Sequence, residues 1–455
     1  MKQLSLFAAA LTAALGACTT GDVDPDRMLE PTTFKVRIEN VAPWTVLKAG
    51  THETKVTGQA GPLQSGESFE IPFTAGANQR VSFVAMLGQS NDWFFAPKPE
   101  GIALYDDAGN PRSGNVTSEI FLFDAGSEID QEPAVGDATG PRQPAPDFGA
   151  PDPIAMVRQL AKTVPLTAGG TFTLPNIADM IQVTLVPGAN RQFTLRITNV
   201  STATTLVTSQ GSSAIGISPA VWALHIAPAP VFAEGVADRA QGLELVAESG
   251  RGAMLGSAMT ALAGWHTPIS PGVYAVHQDA EPLYALGLPD LDLGLEHLAE
   301  DGNAVPLRDA LATNARGMQL VATGGFDTPV GAAMPGAARP GSAFELTVSG
   351  VPGDRFSFAT MFGMSNDWIF ATRPEGIALF DADDTARSGD VTSAIAIYDT
   401  GWELDQEPAI GSDTGPQQAA PNTGAIDPVR HVREVPASSH GVPASTHLRV
   451  TLEPM

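Results

Sequence analysis

Two aspartates and a glutamate beside turn-forming residues occur twice in this chain. Asp92 stands in Gln-Ser-Asn-Asp-Trp; Asp124 and Glu128 stand in Phe-Asp-Ala-Gly-Ser-Glu. Asp367, Asp399 and Glu403 repeat the set at a constant offset of 275 residues. A glycine two places after Asp124 permits a sharp turn, so an Asp-x-Gly-x-Glu loop can wrap two carboxylates around one point. A third carboxylate from the Asn-Asp-Trp loop makes a hard, oxygen-rich site. Such a site suits Ca²⁺, which takes six to eight oxygens in irregular geometry, better than Mg²⁺, which keeps its waters. Zn²⁺ would call for His or Cys, which neither copy offers here. The competing reading is that these acids cap turns by accepting backbone N–H groups.

The elements that must position these acids follow from the repeat. The match runs without a gap from Arg80 and Arg355 to Asp152-Pro153 and Asp427-Pro428. Its flanks recur too. Phe34-Lys-Val-Arg-Ile-Glu-Asn-Val41 is similar to Phe193-Thr-Leu-Arg-Ile-Thr-Asn-Val200, and Ile181 to Pro187 is similar to Leu448 to Pro454. Each flank alternates apolar and polar residues, the period of a half-buried strand. Segments 68–73, 80–87, 119–123 and 344–348 do likewise. The expected fold is mainly β: two tandem antiparallel β-sandwiches, spanning 34–190 and 191–455, each opened and closed by adjacent strands. A second repeat, at an offset of 52 (Ser218 to His225 and Ser270 to His277), carries Gly-Leu-Glu-x-Leu-Ala-Glu segments. These read as short helices ended by glycine. They are expected within an insert at about 209–322, an elaboration at the edge of the second sandwich that the first unit lacks.

The motif pairing resembles the spondin N-terminal domain family: Ser-Asn-Asp-Trp, then Asp-Ala-Gly-Ser-Glu about thirty residues later, then Asp-Gln-Glu-Pro. The resemblance implies a C2-like sandwich with calcium at one edge, held by Asp92, Asp124 and Glu128 and by Asp367, Asp399 and Glu403. There are departures from the family pattern. Glu stands in place of the family's last Asp. The second copy has Thr400 and Trp402 where the first has Ala125 and Ser127, and the cysteines of animal members are missing.

The N-terminus has the form of a secretory signal: Lys2, an apolar run from Leu4 to Ala14, then Leu15-Gly16-Ala17-Cys18. It resembles a bacterial lipobox and implies a signal at 1–17, lipidation of Cys18, the only cysteine, and a polar tether over 18–33. Thr19 after the cysteine resembles outer-membrane sorting. The expectation is an exported protein, outer-membrane anchored (periplasmic or surface-facing) or extracellular. With 50 acidic and 25 basic residues and a net charge of −25, nucleic acid and anionic lipid surfaces are repelled. Membrane contact is then through the anchor alone.

Other chemistry is weaker. Trp93 and Trp368 read as core plugs. His225 and His277 fit hydrogen-bonded structural roles better than a transition-metal pair. Ser90 and Ser365 lack a nucleophile elbow. No Walker loop or dinucleotide fingerprint occurs. The leading functional expectation is a non-enzymatic, calcium-binding module that attaches to an envelope or extracellular glycan or protein. The alternatives are a carbohydrate-active enzyme using Asp124 and Glu128 as acid and base, and a structural protein stabilised by calcium.

Overall fold

A computed structural model describes residues 30–455 except 43–45, 78, 227–228, 265–266, 416 and 437–442. The signal segment, Cys18 and most of the tether lie outside the described residues. Among the described residues no helix is long and apolar enough to cross a membrane.

The chain is mainly β, built as two matching halves of paired antiparallel sheets. In the first half a large sheet runs Val46–His52, Ala220–His225, Arg80–Met86, Trp93–Pro97, Ile120–Asp124, Arg158–Gln159. It faces a four-stranded sheet ordered Ser68–Thr74, Gln192–Asn199, Ile181–Pro187, Gly114–Asn115. Phe69, Ile71, Val183, Leu185, Leu195 and Ile197 from the small sheet share one core with Phe83, Trp93, Phe95, Leu122 and Leu224 from the large one. In the second half the large sheet runs Leu320–Phe326, Ile269–His277, Arg355–Phe362, Trp368–Thr372, Ile395–Asp399, Arg433–Glu434.

The small sheet of the second half corrects the expected partition. Its order is Ala343–Gly350, Thr32–Asn40, Leu448–Pro454, Gly389–Asp390. The N-terminal strand therefore lies between two strands of the C-terminal half, with Val36 opposite Leu346 on one side and Leu452 on the other. Its sequence twin, Gln192–Asn199, closes the first half, hairpinned onto Ile181–Pro187. Opening and closing strands do lie side by side, but each pairs with the other unit's partner. The local reason is the tight connection at 188–191, where Gly188 N–H donates to the Gln192 carbonyl and Gln192 N–H to that of Ala189. Consecutive strands joined so closely pair with each other at little loop-closure cost.

The block at 209–322 is likewise not an insert in one half. Ala220–His225 and helices Leu243–Ser249 and Ala253–Ala261 belong to the first half. Ile269–His277 and helices Leu295–Asp301 and Val305–Ala312 belong to the second. Among the described residues, the two halves carry the same main-sheet strands and helix pair in circularly permuted order, and the first adds hairpins at 163–173 and 206–213. In the second half the strand and helix pair precede Leu320–Phe326, whereas in the first they follow everything else. Their end returns to the start of Val46–His52, where Gly264 N–H donates to the Val46 carbonyl at 3.1 Å. The helices do not sit at a sandwich edge. They cover the outer face of each large sheet: Leu243, Val246, Leu255 and Met259 pack on Val84, Phe94, Phe123 and Val221. Sheathing on both faces explains why Val81 to Met86 are all buried, while Ser68–Thr74, with one face in water, alternates. The helices at 243–249 and 295–301 do end as read, in left-handed Gly250 and Gly302. The halves touch directly: Gln79 Nε2 donates to the Ala409 carbonyl at 2.9 Å, and Arg191 to that of Ile410 at 2.6 Å.

Candidate metal centre

The site begins at a strand register. Trp93 pairs with Asp124 across adjacent strands of the first large sheet, and Trp368 pairs with Asp399 in the second. Asp92, one residue before its strand, is thereby set beside Asp124 at the mouth of the same ladder. Ser90 shapes the approach: its hydroxyl donates to the Leu87 carbonyl and accepts from Trp93 N–H at 3.0 Å. Ser365 repeats this. These hydroxyls shape the turn before each strand.

The loop after Asp124 then wraps back. Asp124 Oδ1 accepts Gly126 N–H at 2.5 Å, and Asp399 accepts that of Gly401 at 2.6 Å. Gly126 has φ +74°, and a Cβ there would stand 2.6 Å from the Met156 backbone, so glycine is required. Asp92 Oδ2 accepts three bonds: Ser127 N–H and Glu128 N–H, each at 3.1 Å, and the Ser127 hydroxyl at 3.2 Å. In the second copy Asp367 Oδ2 accepts Trp402 N–H at 2.8 Å and Glu403 N–H at 3.1 Å. The hydroxyl has moved rather than vanished: Thr400 Oγ1 donates to the Asp367 backbone carbonyl at 2.9 Å and shares that hydrogen with Oδ2 at 3.3 Å. The exchange of Ala125 and Ser127 for Thr400 and Trp402 thus keeps both backbone donors to Asp367 and a hydroxyl beside it. The capping reading is correct for these oxygens, but it accounts for only one oxygen of Asp92 and Asp367.

Asp92, Asp124 and Asp130 each bring one oxygen within 4.8 Å of the others, and Asp367, Asp399 and Asp405 do the same. The third member is the first acid of Asp-Gln-Glu-Pro, which sequence reasoning quoted without assigning it. It is oriented by the buried indoles, since Trp93 Nε1 donates to Asp130 and Trp368 Nε1 to Asp405, both at 2.7 Å. Trp93 and Trp368 are core plugs as expected, with this added role. Glu128 and Glu403, expected in the same cluster, turn aside. Glu128 Oε1 accepts Gly149 N–H at 2.5 Å and Glu403 Oε1 accepts Gly424 N–H at 2.7 Å. A Cβ at Gly149 would lie 2.5 Å from the Glu128 carboxyl carbon, so glycine makes that approach possible.

A guanidinium balances part of each cluster. Arg158 Nη2 pairs with Asp124, with Asp152 at 2.6 Å and with Asp130 at 3.6 Å. Arg433 pairs with Asp399, Asp427 and Asp405 in the second copy. Recurrence at the same offset would have flagged both arginines.

Charge and burial leave the carboxylates poorly compensated. Burial first, and then the negative charge of Asp124, hold the Asp92 carboxyl well above the usual range. Burial pushes Asp124, Glu128 and Asp367 up to about 7 and Asp399 to about 8. Among the described residues, Asp92 Oδ1, Glu128 Oε2, Asp367 Oδ1 and Glu403 Oε2 are buried and receive no hydrogen bond. Buried anionic oxygens without donors are costly. A hard cation would relieve that cost, and the donors on offer are oxygens only.

His225 and His277 do not form a pair. They occupy equivalent buried positions in different halves, where His225 meets the Ser82 hydroxyl at 2.9 Å and His277 meets that of Ser357 at 2.8 Å. Comparison with known protein families and with curated proteins found no match.

Proposed function

We propose that this protein is a calcium-binding module, exported and held at the cell envelope by a lipidated Cys18, that attaches to an envelope glycan or protein. One observation carries the calcium reading: in both halves the buried oxygens Asp92 Oδ1 and Glu128 Oε2, and Asp367 Oδ1 and Glu403 Oε2, lack a donor among the described residues. The converging trios Asp92, Asp124 and Asp130, and Asp367, Asp399 and Asp405, would hold the ion, while Glu128 and Glu403, which stand outside each trio, would offer only their second carboxylate oxygens from its edge. The resemblance to the spondin N-terminal domain family supports Asp92 and Asp124, and Asp367 and Asp399, among these ligands. Calcium would neutralise the cluster and order the loops at 124–130 and 399–405. The ordered loops would then offer a cationic point to an anionic glycan or an acidic protein surface, on a chain otherwise strongly negative. No catalytic role is assigned to these acids, because a shared cation accounts for them together.

Calcium titration by calorimetry on residues 20–455 tests the reading, beside an Asp92→Ala/Asp367→Ala variant. The expected result is about two ions per chain, lost in the variant. An absence of saturable binding would reduce the acids to turn caps. A pull-down with envelope polysaccharide, in calcium and then in chelator, tests attachment; binding indifferent to calcium would remove the bridging role.

A further inference from the structure

Two further buried carboxylates come from the helical layer. Glu248, on helix Leu243–Ser249, and Glu300, on helix Leu295–Asp301, are both fully buried; among the described residues Oε1 of each meets no donor in hydrogen-bond geometry, although the nearby Ser127 hydroxyl favours the ionised Glu248 carboxyl. Burying a carboxylate with one oxygen unsatisfied is costly, and both copies of the duplication keep it. The surroundings match in detail. Glu248 Oε2 accepts Asp147 N–H at 2.7 Å, and Glu300 Oε2 accepts Asn422 N–H at 2.6 Å. Gln143 Nε2 donates to the Glu248 carbonyl and Gln418 Nε2 to that of Glu300, leaving the amide oxygens of both glutamines buried without a donor.

These helices reach the motif loop. Asp147 and Asn422, which hold the helix glutamates, lie two residues before Gly149 and Gly424, which hold Glu128 and Glu403. After burial, the charge of Glu248 helps to raise the Glu128 carboxyl, and those of Glu403 and Asp367 help to raise that of Glu300. In the first half Asp147, Glu244 and Glu248 also bring one oxygen each within 4.8 Å. The second half has Asn422 and Glu296 in place of Asp147 and Glu244, with Asn422 Nδ2 donating to Glu296. What both halves share is a helix glutamate and a loop glutamate held by backbone N–H groups two residues apart on one loop, each with one buried oxygen that has no donor among the described residues. The guanidinium of Arg158 or Arg433 neutralises the far side of the cluster but makes no ion pair with this side.

From this geometry we infer that Glu248 and Glu300 are calcium ligands, each completing its site with Glu128 or Glu403 from the motif loop. Calcium then fastens the helical layer of each half to the loop edge of its sandwich. The inference rests on the calcium reading above and adds ligands that lie outside the repeated acidic motifs.

The test is calcium calorimetry on residues 20–455 as wild type, Glu248→Gln, Glu300→Gln and the double variant. Hydrogen exchange of helices 243–249 and 295–301, with and without calcium, accompanies it. Each single variant is expected to weaken one of two sites by about tenfold or more, since removing a charged ligand lowers affinity. The double variant weakens both, and in wild type calcium slows exchange in both helices. Two ions bound with unchanged affinity by the folded double variant would overturn the inference and leave the calcium reading intact. No binding by wild type would overturn both. If a variant does not fold, the wild-type exchange decides: helices whose protection ignores calcium are not fastened by it.

Discussion

Removing the N-terminal strand should unfold the C-terminal half. Phe34, Val36 and Ile38 are fully buried in the core that also holds Phe344, Phe356, Val450 and Leu452. Full burial of such a side chain contributes about 1.5–3 kcal/mol, so the three together contribute roughly 5–9 kcal/mol. Two ladders go as well, to Ala343–Gly350 and to Leu448–Pro454, which the deletion would turn into facing edges with unpaired backbone groups. The side chain of Asn40, which donates to the Thr267 and Ala338 carbonyls at 2.9 Å each, is lost too. The sum is comparable with the whole stability of a typical domain, about 5–15 kcal/mol. A chain starting at residue 42 should therefore show fast hydrogen exchange across 269–455. The region 46–225 should stay protected, because its own copy of the strand, Gln192–Asn199, is in place. Ile38→Ala should give a milder form, about 2–5 kcal/mol in the same half. The reverse pattern, a loosened 46–225 beside an intact 269–455, would refute the strand exchange and restore the boundary at 188–192.

Other outcomes follow from the site. Asp124, Glu128, Asp367 and Asp399 have folded pKa values of about 7 to 8, above the 3.8 and 4.5 of free Asp and Glu. The calcium-free native state therefore holds more protons than the unfolded state between about pH 4 and 8, and its stability falls as pH rises through that window. Melting temperatures in chelator should drop from pH 5 to pH 8, and the gain on adding calcium should grow over the same range; a flat profile in chelator would contradict it. Arg158→Ala leaves Asp124 and Asp152 without their cation and should cost about 3 kcal/mol at pH 8, much less at pH 5, by denaturant titration. Thr400→Val removes the hydroxyl from Asp367 and should cost about 1 kcal/mol. It should also weaken only one of the two calcium sites in calorimetry, as Ser127→Ala should for the other.

Much of the site was legible because repetition marks it. A duplication at one offset points to Asp92, Asp124 and Glu128 with Asp367, Asp399 and Glu403, and alternation of period two marks the strands that carry them. The same offset contains Asp130, Asp152 and Arg158 with their counterparts, but nothing in their spacing says that they converge. Asp130 joins Asp92 only because a buried indole holds its carboxylate, and Arg158 only because its short strand pairs beside Asp124. Glu248 and Glu300 lie in the segments read as short helices, with nothing in their spacing to single them out. They become site residues because those helices lie on the outer face of the large sheet next to the motif loop.

By itself the sequence determined the duplication, the mainly β character, the glycine-ended helices and the acid-rich turns. Each depends on local periodicity or on the backbone demands of a few residues. Which half each strand completes was decided only in three dimensions. Phe34-Lys-Val-Arg-Ile-Glu-Asn and Phe193-Thr-Leu-Arg-Ile-Thr-Asn present the same alternating face, so either would fill either slot. The short turn at 188–191 gives the first slot to the strand at 192–199 as its immediate neighbour in the chain. The slot left in the second core is then closed by the strand at 32–40, because only there can Phe34, Val36 and Ile38 leave water.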